Sequence, residues 1–235
     1  MIVLRAPHEM CPSHVPDSAA LDGGRYYWWS GEPGAEQMTC AGASDGNGAS
    51  AVIAAEVATS FAAIIHELQT QEPFDVLLGF SQGATAIAAL TALAHAAHQQ
   101  GTAARSAASH PHFGQLIGTL QGMRPWPLPV FLCGQAIRAD QWGTWVDELD
   151  GIPSRSVHVL SPEDETYSSG VELLERFQSR AAPGSCTLVE HGEGHKLPTG
   201  EARATKIEAV NEYTMPAPFY LSLSAAIVHA LRPYY

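Results

Sequence analysis

Residues 76–84 read Val-Leu-Leu-Gly-Phe-Ser-Gln-Gly-Ala, and this short stretch constrains the fold more than any other. An apolar run meets Gly79-Phe80-Ser81-Gln82-Gly83, and an Ala-rich stretch to His98 follows. A turn that passes this sharply from strand to helix has no room for side chains beside the serine, which accounts for the flanking glycines. The strain lifts the Ser81 hydroxyl clear of the backbone, within reach of a base. A short Gly-x-Ser-x-Gly pattern arises by chance, so its surroundings carry the specificity. Val76-Leu77-Leu78 is a buried-strand run introduced by the turn-like Glu72-Pro73-Phe74-Asp75. Gly83 to His98 contains no proline and is dominated by Ala, Leu and Ile, as a helix requires.

The rest of the chain repeats this alternation. From Ala49 to Gln71, Val52, Ile53, Val57, Phe61, Ile64, Ile65 and Leu68 share one helical face. Strands are predicted at 2–4, 76–78, 130–133, 157–160 and 186–190. Helices are predicted at 140–149, at 171–180 with Leu173, Leu174 and Phe177 inward, and at 218–232 between prolines. The segment 8–50 is rich in Gly, Pro, Asp and Ser, and its Tyr26-Tyr27-Trp28-Trp29 reads as a loop that plugs the core. Thr102 to His110 reads as loop. Alternating strands and helices imply an α/β fold with a mainly parallel sheet flanked by helices. The 235 residues fit one such domain over 1–235, with 101–125 and 199–218 as cap or insert segments.

Composition excludes several classes. A formal net charge of −12 leaves no basic face for nucleic acid. No apolar run approaches the roughly 20 residues that span a bilayer, and the N-terminus lacks a signal peptide's basic start and apolar centre. A cytoplasmic protein with a small-molecule substrate is the expectation. Cys11, Cys40, Cys133 and Cys186 form no C-x-x-C pair and read as free thiols. The histidines show no H-E-x-x-H spacing. Neither a metal nor another cofactor is expected.

A serine hydroxyl needs a base to take its proton, and the base needs an acid to orient it. Two strand ends downstream of Ser81 offer these groups: Ser161-Pro162-Glu163-Asp164-Glu165 and His191-Gly192-Glu193-Gly194-His195. Both fall where α/β sheets carry functional groups, beyond the carboxyl ends of strands. His195, after two glycines that let the loop fold sharply, is preferred to His191 as base. Asp164 is preferred as acid, with Glu163 and Glu165 as alternatives if the loop register differs. His158, alternating within a strand, reads as a satisfied sheet histidine. The backbone N–H of Gln82 is the expected oxyanion donor. Substrate-binding residues stay unassigned, with Trp28, Trp29 and the 101–125 segment as the nearest candidates for a pocket lining.

Taken together, Pro73-Phe74-Asp75 before Gly79-Phe80-Ser81-Gln82-Gly83-Ala84, Gly194-His195-Lys196-Leu197-Pro198, and Ala6-Pro7-His8 followed by Tyr27-Trp28-Trp29 resemble the FSH family. These are small fungal and animal serine hydrolases of the ovarian-cancer-associated type. The resemblance covers roughly residues 2–200. It implies the α/β-hydrolase fold and an esterase or thioesterase with Ser81, Asp164 and His195 as nucleophile, acid and base. In the family a strand ending Leu-His-Gly precedes the Ala-Pro strand, whereas this chain opens at the latter. The expectation is a sheet short of that strand, an oxyanion hole with Gln82 as its one identified donor, and weak hydrolysis. The competing readings are a non-catalytic α/β-hydrolase-fold binding protein, and an acyltransferase or peptidase with the same triad.

Overall fold

The computed structural model describes residues 8–9, 26–27, 46–71, 73–99, 101–110, 112–124, 126, 128–137, 144–146, 148, 151–179, 185–198, 204–209, 212–213 and 219–231. The strand expected at 2–4 and the pair Trp28-Trp29 lie outside them. Two short strands, β1 (His8–Glu9) and β2 (Tyr26–Tyr27), pair antiparallel within the stretch read as loop.

Among the described residues the main sheet has six strands in chain order: β3 (Val76–Phe80), β4 (Leu128–Leu132), β5 (Ser156–Leu160), β6 (Cys186–His191), β7 (Ala204–Ala209) and β8 (Glu212–Tyr213). The first four run parallel, and β7 and β8 continue antiparallel. Helices α1 (Gly46–Thr70), α2 (Gln82–Gln99), α3 (Thr102–Ser109), α4 (Gly114–Gln121), α5 (Tyr167–Gln178) and α6 (Phe219–Leu231) flank it. This is the α/β architecture that the strand and helix alternation implied.

The central strands read as continuous apolar runs because both faces are covered. Leu128, Val130, Leu132, Val157, Val159 and Val189 point to the face where Leu223, Ala226 and Ala230 of α6 pack. Phe131, Leu160 and Leu188 point to the other face, against α2, α5 and the Val57, Phe61, Ile64 and Ile65 stripe of α1. Helix α2 lies between the sheet and the outer helices, so Gly83 to Ala94, Ala96 and Ala97 are all buried. That explains its alanines, which let helix and sheet approach closely and need little side-chain ordering.

Further elements differ from expectation. Thr102–Ser109 is helical, not loop: Ala103, Ala104 and Ala107 bury one face, a stripe too weakly apolar to stand out in sequence. Between 140 and 149 the described residues hold a short 3-10 turn, Thr144–Val146, which seats Trp145 in the core. Strand β7 lies in the segment that the sequence marks only as a cap or insert. Its sequence Ala-Thr-Lys-Ile-Glu-Ala carries few apolar residues, and it forms because β6 offers it a backbone edge.

His158, in the centre of β5, is 1% exposed, with its ring against Phe131 and Phe177 at 4.9 and 5.4 Å. Nε2 shares a 2.9 Å hydrogen bond with the Ser156 hydroxyl, and Nδ1 has no partner, so the expected full satisfaction is half met. Burial lowers its pKa to about 3. The unfolded chain, with an ordinary value of about 6.5, therefore binds one more proton than the folded one between these limits. The His158 contribution is whole above the unfolded value and drains away as pH falls toward the folded one. At pH 5 the loss is about 2 kcal/mol. Urea unfolding at pH 7 and pH 5 should show it, and His158→Leu should remove that part of the slope. An unchanged slope in the variant would refute the assignment.

Candidate active site

Sheet register brings the site together. Phe80 pairs with Leu132, Leu132 with Val159, and Leu160 with Glu190. The carboxyl ends of β3, β4, β5 and β6 thus form one row, with Ser81, Cys133, Ser161 and His191 at or just past it. The Ser81 N–H donates to the Leu132 carbonyl at 2.8 Å and the Cys133 N–H to the Val159 carbonyl at 2.8 Å, extending the ladder one step.

Ser81 has φ +52°, a left-handed conformation that a side chain tolerates only under constraint. The constraint is the abrupt passage from β3 into α2, whose first turn closes as the Thr85 N–H donates to the Ser81 carbonyl at 3.1 Å. A Cβ on Gly79 would sit 2.5 Å from the Gly83 carbonyl oxygen and 2.6 Å from the Ala84 nitrogen. No side chain fits there, so the first glycine of the pentapeptide is a requirement of close packing. Gln82 opens α2, and its N–H belongs to the positive end of an 18-residue helix.

Asp164 lies four residues beyond β5, with its side chain 2% exposed. Oδ1 accepts from the Thr166 N–H and the Thr166 hydroxyl, both at 2.8 Å, and this directs Oδ2 toward His195. Burial works against its charge, but the Thr166 and His195 hydrogen bonds outweigh that and hold the carboxyl below its ordinary value. Glu163 and Glu165 on either side are exposed.

His195 stands on the loop that leaves β6. The loop bends at Gly192 and Glu193, crosses the end of β5, and turns again where the Lys196 N–H donates to the Gly194 carbonyl at 2.9 Å. Gly194 permits the crossing with φ +69°. Nδ1 of His195 lies 2.6 Å from Asp164 Oδ2, and Nε2 lies 2.8 Å from Ser81 Oγ. The ring leans on Phe80, with centroids 5.4 Å apart, and the side chain is 34% exposed. Sequence reasoning named Ser81, Asp164 and His195, and the structure brings these three into one hydrogen-bonded chain. His191 is fully buried and turned into the fold, where Nδ1 accepts the Glu193 N–H at 3.3 Å.

Three further residues were not singled out as part of the site. Thr166 has a readable signal, because Asp-x-Thr after a strand invites the carboxylate to accept the N–H two residues on. Ser161 and Cys133 have none, since their roles depend on neighbouring strands. The sequence pattern places Cys133 within the strand at 130–133. The residue lies just beyond β4, with φ +50°, and its thiol, the Asp164 carboxylate and a His195 ring nitrogen lie within 4.8 Å of one another. Cys, Asp and His are a donor set that zinc can use. Here Oδ2 is already committed to His195, and the thiol holds its proton. Burial, then the Asp164 charge and hydrogen bond, push its pKa up to about 12 against a weaker opposing contact from the Lys196 backbone.

The Cys133 thiol should therefore resist alkylation in the native protein at pH 8, because the thiolate is the reactive form. Iodoacetamide labelling followed by peptide mass analysis should find it unmodified, while the urea-unfolded chain reacts fully. Native labelling at the rate of a free thiol would contradict this.

Cavities also open elsewhere among the described residues. One of about 390 Å³ is lined by Pro73, Phe74, Asp75, Met123, Arg124 and Trp126, among others, at the far end of β3. Another of about 370 Å³ lies among His95, Gln99, Gly101, Thr102, Glu148 and their neighbours, at the end of α2 opposite Ser81. That helix is about 27 Å long, which separates the second cavity from the site. Helices α3 and α4 pack on α2.

Among solved structures, a carboxylesterase from Mesorhizobium loti is similar, at 17% identity with a TM-score of 0.42 over 79% of this chain and 66% of that one. The protein Atu2452 of unknown function from Agrobacterium tumefaciens strain C58 is similar at 14% identity and a TM-score of 0.35, over 68% of this chain and 63% of that one. The chain thus spans a little under two thirds of the length of either. No curated protein matches significantly. Among the described residues no helix is long and apolar enough to cross a membrane. The family model described as serine hydrolase (FSH1) matches residues 1–207, most of the sequence, and the chain belongs to that family.

Proposed function

We propose that this protein hydrolyses carboxylic ester or thioester bonds of small acyl substrates through a covalent acyl-enzyme, with Ser81 as nucleophile, His195 as general base and acid, and Asp164 as the orienting acid. The observation that carries the reading is the continuous chain Ser81 Oγ–His195 Nε2 at 2.8 Å and His195 Nδ1–Asp164 Oδ2 at 2.6 Å. Family membership supports it from a separate direction.

The chemistry follows from the atoms. Ser81 Oγ attacks the substrate carbonyl carbon as its proton passes to His195 Nε2. The Asp164 carboxylate steadies the imidazolium, and the Gln82 N–H, beside the nucleophile, donates to the oxyanion. Collapse of the tetrahedral intermediate expels an alcohol or thiol, which takes the proton from Nε2. Water then enters, gives a proton to Nε2 and attacks the acyl carbon. Breaking the Ser81 ester bond releases the acid and restores the hydroxyl.

The test is labelling with a fluorophosphonate probe, together with turnover of p-nitrophenyl esters of graded chain length. Modification at Ser81 with turnover is the expected result. A folded protein that neither labels nor turns over any ester would favour the non-catalytic binding reading.

A further inference from the structure

The loop that carries Asp164 and the loop that carries His195 leave different strands, yet both are fastened to one side chain. Ser161, the first residue past β5, is 1% exposed. Its hydroxyl oxygen accepts the Glu163 N–H at 3.3 Å from the acid loop and the Gly194 N–H at 3.0 Å from the histidine loop. Its carbonyl accepts the Asp164 N–H at 2.9 Å. A hydroxyl oxygen has two lone pairs, and both are used here, one on each loop.

We propose that Ser161 is a positioning residue whose hydroxyl holds the histidine loop against the acid loop, so that His195 bridges Asp164 and Ser81 at once. The proposal rests on the reading of those three residues as the catalytic groups. The need for such a tie comes from the loop itself. Gly192 and Gly194 give the stretch before His195 wide backbone freedom, and the nearby Lys196–Glu193 ion pair is long at 3.8 Å with its lysine exposed. Ser161 bonds the residue immediately before His195, and it is joined to the end of β5 by a single peptide bond. It therefore transmits the rigidity of the sheet to both loops.

Three substitutions separate positioning from mere packing. Ser161→Ala removes the acceptor. Ser161→Cys keeps nearly the same shape with a much weaker acceptor. Ser161→Thr keeps the hydroxyl. Each variant is titrated with a fluorophosphonate probe to count competent sites, then assayed on a p-nitrophenyl ester. The downfield proton NMR signal of His195 Nδ1–H is recorded as a readout independent of turnover.

A displacement on the order of 1 Å costs about 100-fold in rate. The Ala and Cys variants should therefore lose about 10- to 100-fold in kcat per titrated site, with KM within about threefold. The imidazole signal should broaden or shift. The Thr variant should recover most of both. The proposal is overturned if the Ala and Cys variants keep kcat per site within about threefold of the parent protein and leave the imidazole signal unmoved. It is also overturned if only the number of titratable sites falls. Should one variant fail to fold, the other two decide. If the parent protein itself neither labels nor turns over, the catalytic reading has failed. The NMR comparison still decides whether Ser161 holds the Asp164–His195 bond.

Discussion

Asp164→Asn is expected to lower kcat by about four orders of magnitude while shifting the thermal unfolding midpoint by no more than a few degrees. The reason is the hydrogen-bond direction. Thr166 donates to Oδ1 through both its N–H and its hydroxyl, so that position must stay an acceptor. In the asparagine variant the amide oxygen occupies it, and the amide nitrogen turns to His195. Nδ1 must then accept, which moves the imidazole proton to Nε2. That proton points at Ser81 Oγ, and the ring can no longer receive one from the hydroxyl. Nothing in the fold is emptied, so stability changes little. The exposed neighbours serve as controls, and Glu163→Gln and Glu165→Gln should each stay within about twofold of the parent rate. If Asp164→Asn lowered kcat less than tenfold, another group would be orienting the histidine.

Ser81→Ala is expected to abolish fluorophosphonate labelling and to cost four or more orders of magnitude in ester turnover. The protein should stay folded, since Ser81 sits on a turn secured by backbone hydrogen bonds to Leu132 and Thr85 that alanine keeps. The turn adds a second readout. With φ at +52°, alanine inherits the strain that serine bears, whereas glycine relieves it. Ser81→Gly should therefore be more stable than Ser81→Ala by about 1 kcal/mol, although both are inactive. Denaturant unfolding of the pair measures this. Near-parental turnover in Ser81→Ala would remove the mechanism, and equal stability of the two variants would remove the strain.

The sequence by itself determined the local units. Val76 to Leu78 had to be a strand, the pentapeptide a sharp turn, and the alanine-rich run a helix, because turn sterics and hydrophobic period act over a few residues. The burial expected of that strand is only partial, with Leu78 52% exposed at the start of the sheet order. The order of Ser81, Asp164 and His195, each just past an apolar run, was legible for the same reason. So was the preference for His195 over His191, since the two glycines before it are a local property. What sequence left open is which side chains meet across strands. Cys133 reads as one more apolar strand residue, and only the register of β4 against β3 and β5 sets it beside Asp164. Ser161 reads as a turn residue, and only the crossing of the β6 loop over β5 gives its hydroxyl a second donor. Strand β7 is marginal alone and exists because β6 presents an edge. The α3 stripe becomes apolar enough to bury only against α2 and α4. These features depend on pairings between residues far apart in the chain, whose energies a one-dimensional pattern does not contain. The tertiary structure alone decided them.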